Sequence, residues 1–214
     1  MHGPVPKQYH PIAGVPMVLR ALRPFLSHPD VERVVLALPP GDVAVPPPFL
    51  DGLLGERLRV VAGGATRGHS VAAGLAALDA RCTVVLIHDG ARPFVGRGVI
   101  DAVIAHARRG EPAIAAVPLT DTVKEASADD ASRVERTVPR ERLWRAQTPQ
   151  GFPRQMLADA YARAGREARL GTDDAELVER TGIAVRLIVD SSRNFKITTA
   201  EDLALAELLA ATSP

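Results

Sequence analysis

Short apolar runs alternate with amphipathic stretches along most of this 214-residue chain, and that alternation leaves it few folds. Val34–Leu38, Leu58–Val61, Thr83–Ile87, Ala113–Val117 and Ala184–Val189 are apolar, and most are rich in β-branched residues. Runs of that kind suit strands buried on both faces. Between them, helical spacing covers Met17–Leu26, Ser70–Leu78, Gly98–Ala107, Arg154–Ala164 and Thr199–Leu209. Strand and helix in alternation imply right-handed crossovers, with helices on both faces of a parallel sheet. The expectation is a doubly wound α/β fold with a mostly parallel sheet, in a single domain over residues 1–214.

One stretch departs from the pattern. Residues 118–142 carry charges and scattered valines but little helical period, and a long irregular insertion in a compact domain is usually functional or an interface element. It reads as an extended two-stranded arm. The Pro46-Pro47-Pro48 run reads as a surface connection rather than a domain boundary.

Composition excludes several function classes. A formal net charge of +1 and 4% aromatic residues argue against a general nucleic-acid binder, which needs a one-sided basic surface or stacking platforms. The single cysteine, Cys82, excludes an intramolecular disulfide. The six histidines are scattered without metal-site spacing. No apolar run approaches the length of a membrane helix, and the opening residues do not read as a signal peptide. The expected protein is soluble and cytoplasmic, with no membrane or nucleic-acid partner.

In an open α/β sheet, ligands bind beyond the carboxyl ends of the strands, so the segments that follow strands carry the chemistry. After Leu58–Val61 comes Gly63-Gly64-Ala65-Thr66-Arg67-Gly68-His69-Ser70, opening a helix. The paired glycines allow close backbone approach to a ligand, and Ser70 is placed to cap or nearly cap the helix. After Thr83–Ile87 comes His88-Asp89-Gly90-Ala91-Arg92-Pro93-Phe94. A carboxylate followed three residues later by an arginine can hold a metal, a sugar hydroxyl or a phosphate, or can simply pair within a turn. The run Leu143–Phe152, with the only tryptophan, reads as a turn-rich anchor for the arm's return. Thr198 or Thr199 is placed to cap the last helix, with Glu201 and Asp202 in its first turn.

Of 26 basic residues only Lys7, Lys124 and Lys196 are lysine. In a chain that otherwise uses arginine, each lysine marks a place where a compact ammonium is wanted, and lysine is a common phosphate ligand. All three lie in chemical-looking segments, so a phosphate-handling site is the first hypothesis.

Taken in order, Pro-Lys-Gln-Tyr, Gly-Gly-x-x-Arg-x-x-Ser, His-Asp-x-Ala-Arg-Pro-Phe, Asp-Thr-Val-Lys, Leu-Trp-x-x-Gln-Thr-Pro-Gln and Asn-Phe-Lys-Ile-Thr resemble the 2-C-methyl-D-erythritol 4-phosphate cytidylyltransferases, from about Gly3 to Ala210. The resemblance implies a Rossmann-like nucleotidyltransferase. It would be a homodimeric enzyme of the non-mevalonate isoprenoid pathway that joins CTP to methylerythritol phosphate and releases pyrophosphate. It implies that Lys7 neutralises the triphosphate and that Gly63, Gly64, Ala65 and Ser70 hold cytidine. Asp89, Arg92, Thr122 and Arg140 would surround the methylerythritol phosphate, those on the arm reaching in from the other subunit. Lys196 would position the substrate phosphate, which makes Lys7, Arg140 and Lys196 the catalytic set. Mg²⁺ would come bound mainly through the CTP phosphates, with no protein metal site.

The family pattern also opens with a strand and a Gly-rich loop, roughly Ala-Ala-Gly-x-Gly-x-Arg, which the run Met1-His2-Gly3-Pro4-Val5-Pro6-Lys7 does not contain. The expectation is that Met1 is an internal methionine and that roughly 20 residues lie upstream, a strand of about 5–6 residues plus its loop. Without them the chain should be aggregation-prone and nearly inactive. Two other functions fit less of the sequence. Ribitol-5-phosphate cytidylyltransferase shares the chemistry, but Asp121–Lys124 and Leu143-Trp144 look more like the methylerythritol enzyme. A non-catalytic nucleotide-binding relic would account for the missing loop.

Overall fold

The computed structural model describes residues 6–167 and 171–212. A small hairpin, β1 (Pro11–Ile12) and β2 (Val15–Pro16), leads into α1 (Met17–Leu26), β3 (Val34–Leu38), α2 (Gly41–Ala44), β4 (Leu58–Ala62) and α3 (Arg67–Ala76). Then come β5 (Val84–Ile87), α4 (Arg97–Arg108), β6 (Ala113–Pro118) and the arm strands β7 (Val123–Ala126) and β8 (Val134–Val138). The chain closes with β9 (Trp144–Pro153), α5 (Arg154–Arg166), α6 (Asp174–Glu179), β10 (Arg186–Val189) and α7 (Ala200–Thr212).

The central sheet has the order β10-β6-β9-β5. β10 pairs parallel to β6, whereas β9 runs antiparallel to both β6 and β5. β3 and β4 form a separate parallel pair. The alternating α/β architecture holds, but where a mostly parallel sheet was expected β9 runs antiparallel to both of its neighbours. Turn signals at Thr148-Pro149 and Gly151 hid this strand. In the structure Gln147, Thr148, Gln150 and Phe152 are all buried, so the supposed turn-rich anchor is an interior strand.

Side-chain alternation divides the core into two layers. Val85 of β5 and Ile114 of β6 face α3, α5 and α6, through Leu75, Leu157, Ala160 and Val178. The next residues, Leu86 and Ala115, face α1 and α4 through Phe25, Val99, Ile100 and Val103. Helix α4 buries Val99, Ile100, Val103, Ile104 and Ala107, a stripe with the spacing of one helical face. It lies so close to β9 that a Cβ on Gly151 would sit 2.3 Å from Val103 Cγ1, so only glycine fits there. Ile12, Met17, Ile197 and Ala206 form a smaller cluster that docks α7.

Strand β6 is buried along Ala113–Val117, but β3 and β5 are mostly half-buried despite being as apolar. Between β3 and β5 lies a cavity of about 520 Å³, floored by α1 and α3 residues such as Val18, Phe25, Val71 and Gly74. Among the described residues β3 is hydrogen-bonded only to β4, and β5 only to β9, so both strands present an open edge to this slot.

The arm exists as an antiparallel pair, β7 with β8, in register Val123↔Val138. Its residues are mostly exposed. No helix among the described residues is long and apolar enough to cross a membrane.

Candidate active site

Arg67, just after β4, reaches Asp89, just after β5, and donates from Nε to its Oδ1 at 3.0 Å. Three cations converge on this carboxylate. Besides Arg67, Lys196 Nζ lies 3.0 Å from Asp89 Oδ2 and Arg92 Nε lies 3.7 Å from it. Lys7 stands close enough that Asp89 and Asp202 attract its ammonium, while partial burial and the like charge of Lys196 lower its pKa. Burial alone would raise the Asp89 carboxyl, but Arg67 and Lys196 outweigh it and hold the group at about 2. Four cations around one ionised carboxylate leave an excess of positive charge at the sheet edge. Arg92 Nε is also buried without a hydrogen-bond partner. Such a place suits an anion.

The segments that carry these side chains are fixed by a buried polar lattice. Asp89 N–H donates to Thr148 Oγ1 at 3.0 Å, and Thr148 Oγ1 is 2.9 Å from His88 Nδ1. His88 Nε2 lies 3.0 Å from the Arg92 carbonyl. A carbonyl can only accept, so Nε2 carries the proton and Nδ1 accepts from the threonine hydroxyl. Burial pushes His88 down to about 4, which keeps this neutral tautomer. Arg92 Nη1 and Gln147 Nε2 both donate to the Asn194 carbonyl, at 2.7 and 3.0 Å. Asn194 Nδ2 donates to the Thr148 carbonyl and to Asp190 Oδ2. Ile197 N–H donates to the Ala91 carbonyl at 2.9 Å, which brings Lys196 against the loop after β5.

The Gly63–Ser70 loop closes on itself. Gly64 N–H donates to Ser70 Oγ, which donates in turn to the Thr66 carbonyl, both at 3.1 Å. A Cβ on Gly64 would come within 2.3 Å of His69 Cβ, so the loop's tightness demands glycine. The helix cap is Thr66, whose hydroxyl accepts from His69 N–H. Ser70 was expected at or near the cap and instead sits within α3, where it closes the loop. At α7, Thr199 Oγ1 accepts from Asp202 N–H while Asp202 Oδ2 accepts from the Thr198 and Thr199 amides. Thr199, one of the two residues the sequence offered as a cap, thus caps α7, and Asp202 returns the bond reciprocally, which the sequence reading did not specify.

The structure therefore gathers Lys7, Asp89, Arg92 and Lys196 at one edge, beside the loop of Gly63, Gly64, Ala65 and Ser70. Thr122 and Arg140 lie apart, exposed on the arm, where the Arg140 guanidinium donates to the Thr120 carbonyl. Lys124 is also an arm residue, donating to Thr137 Oγ1 at 2.8 Å. Sequence reasoning passed over Arg67, which stood in a noted motif, and Thr148, His88 and Asn194, whose roles depend on pairings far apart in the chain. Among the described residues no group of three or more His, Cys, Asp or Glu side chains could hold a metal.

Both the sequence and the fold resemble known proteins. The family model for 2-C-methyl-D-erythritol 4-phosphate cytidylyltransferase (IspD) spans residues 1–211. A protein of that name from Syntrophus aciditrophicus (strain SB) is 42% identical over 207 residues, covering 94% of this chain and 86% of the relative. A bifunctional IspD/IspF enzyme from Anaeromyxobacter dehalogenans (strain 2CP-C) is 43% identical, and the chain spans only 53% of its length. The crystal structure of the Thermus thermophilus cytidylyltransferase superposes with a TM-score of 0.84 at 38% identity, covering 97% of this chain and 94% of that one. The chain belongs to the 2-C-methyl-D-erythritol 4-phosphate cytidylyltransferase family.

Proposed function

We infer that the protein is a cytidylyltransferase of isoprenoid precursor biosynthesis. It transfers CMP from CTP to 2-C-methyl-D-erythritol 4-phosphate, giving 4-diphosphocytidyl-2-C-methyl-D-erythritol and pyrophosphate. Beside the family match, one observation carries this reading: Arg67, Arg92 and Lys196 surround Asp89 at the carboxyl edge of the sheet, with Lys7 near enough to feel the charges of Lys196 and Asp89.

The reaction needs positioning and charge neutralisation rather than a covalent side chain. An oxygen of the substrate phosphate attacks the α-phosphorus of CTP. The bond from that phosphorus to the bridging oxygen breaks, and its electron pair leaves with pyrophosphate. In this reading Lys7 faces the triphosphate, and the loop of Gly63, Gly64, Ala65 and Ser70 receives the cytidine. Lys196 and Arg92 hold the substrate phosphate. Asp89, ionised throughout the working range, accepts from a polyol hydroxyl. The arm completes the site of a partner subunit with Thr122 and Arg140, making a cytoplasmic homodimer. The side chains do not form a Mg²⁺ cage, since Asp89 is already engaged by cations. The ion enters as a ligand of the CTP phosphates, as Mg²⁺ commonly does, and no step is assigned to it.

The test is pyrophosphate release with paired substrates. Release should require CTP and methylerythritol phosphate together, with Mg²⁺ present. Equal turnover with ATP, or with ribitol 5-phosphate in place of methylerythritol phosphate, would overturn the assignment.

A further inference from the structure

Asp174, the first residue of α6, has no exposed surface. An ionised carboxylate in that position is tolerated only when it is paired and hydrogen-bonded. Its Oδ1 accepts from the Tyr161 phenol of α5 at 2.6 Å, and its Oδ2 lies 2.8 Å from Arg67 Nη2. The Arg67–Asp174 contact is an ion pair without an aligned hydrogen bond; Arg67 also donates from Nε to Asp89 at 3.0 Å, and Asp89 in turn holds Lys196 at 3.0 Å. The side chains thus form a chain from the buried helical layer to the sheet edge: Tyr161, Asp174, Arg67, Asp89, Lys196. From Asp174 onward the exposures are 0%, then 33% at Arg67, 13% at Asp89 and 42% at Lys196.

Asp174 is not needed to finish its own helix. The α6 cap is Asp173, which accepts from Glu176 N–H at 2.9 Å. The Ala175 amide donates to Gln150 Oε1 at 3.1 Å, and Gln150 Nε2 donates to Asp173 at 2.8 Å. The Asp174 carboxylate is thereby left to Tyr161 and Arg67. A guanidinium is planar and rigid, so carboxylates at two of its nitrogens restrict its orientation, whereas one alone leaves it freer to pivot. Arg67 opens α3, immediately after the loop read above as the cytidine pocket, and it touches the carboxylate read above as a substrate ligand.

We propose that Asp174, backed by Tyr161, is a positioning residue for cytidylyl transfer: it clamps Arg67 between two carboxylates and so fixes Asp89 and Lys196 at the mouth of the site. The role rests on the reading that Asp89 and Lys196 border the substrates. Asp174 itself touches no reacting atom. It acts through Arg67, and its loss should leave the nucleotide loop folded while the Asp89–Lys196 pair becomes mobile.

The test uses Asp174→Asn and Tyr161→Phe, made in the wild-type protein and in an Arg67→Lys background. In the wild-type background Asp174→Asn should lower kcat/KM for methylerythritol phosphate about tenfold or more, and Tyr161→Phe about threefold. In the Arg67→Lys background the Asp174→Asn change should cost less than about twofold, because coupled residues are not additive. A role in stability alone would lower Tm and leave kcat/KM of the folded fraction unchanged, or would cost the same factor in both backgrounds. Either result would overturn the proposal. The second readout is the NMR signal of the Arg67 Nε–H in nitrogen-labelled protein, which should be sharp and slow to exchange in wild type and lost in Asp174→Asn. An unaltered signal also overturns the clamp. Wild-type protein without turnover would refute the proposed function alone, and the NMR signal would then decide whether Asp174 holds Arg67.

Discussion

At the scale of single residues, the scarcity of lysine was the most informative signal. It singled out Lys196, which pairs with Asp89, and Lys7, which feels the charges of both, and it also flagged Lys124, which the structure ties to Thr137 on the arm. Replacing Lys196 by Ala removes a charge-assisted contact of the kind worth about 1.5–3 kcal/mol. A loss of about tenfold or more in kcat/KM for the polyol phosphate should follow, with CTP binding retained. Unchanged kcat/KM would return Lys196 to an ordinary surface charge. What the sequence could not show was Arg67 bridging Asp89 and Asp174, since nothing local to either carboxylate announces the other. The lattice around His88 was equally hidden, and it makes a pH prediction. Burial holds His88 at about 4, below its ordinary 6.5, so the unfolded chain takes up the proton first. Stability should therefore fall as pH drops from about 6.5 through about 4, by roughly 2–3 kcal/mol for a shift of this size. Asp89, held at about 2 against an ordinary 3.8, adds a further loss only below about pH 4. Thermal melts of wild type and His88→Gln across pH 7 to 4 check the first window. Wild type should lose stability relative to the variant, and parallel curves would show that His88 does not titrate this way.

At the scale of elements, periodicity located most helices and buried strands, and α1 and β3 fall where the spacing put them. The failures share a cause. β9 carries polar residues inward because Gln147, Thr148 and Gln150 serve the buried lattice, so it lacks the apolar signature of an interior strand. The six-residue α6 is too short for helical periodicity to register. The arm was legible as a break in pattern, and the β7–β8 pairing gives it a definite form. With its strands mostly exposed, it buries little against its own domain. In the proposed dimer that surface is the contact with the partner. Replacing residues 119–142 by a short Gly-Ser turn should leave a folded monomer with no cytidylyl transfer. Light scattering together with pyrophosphate release checks this, and an active monomer would contradict both the dimer and the shared site.

At the scale of the whole molecule, alternation of strand and helix made the α/β class legible, but not the divided sheet. The slot between β3 and β5 leaves two strand edges unpaired and apolar side chains half-exposed. Unpaired edges invite association between chains, and each unpartnered buried backbone group costs about 1–3 kcal/mol. The central claim is that an oxygen of methylerythritol phosphate attacks CTP at the edge built around Asp89. It is tested most directly by phosphorus NMR of the reaction run with the phosphate of methylerythritol phosphate labelled with heavy oxygen. The account predicts a new diphosphate product that retains all of the label, and unlabelled pyrophosphate in equal amount. Label in the pyrophosphate, or no diphosphate product, would contradict it.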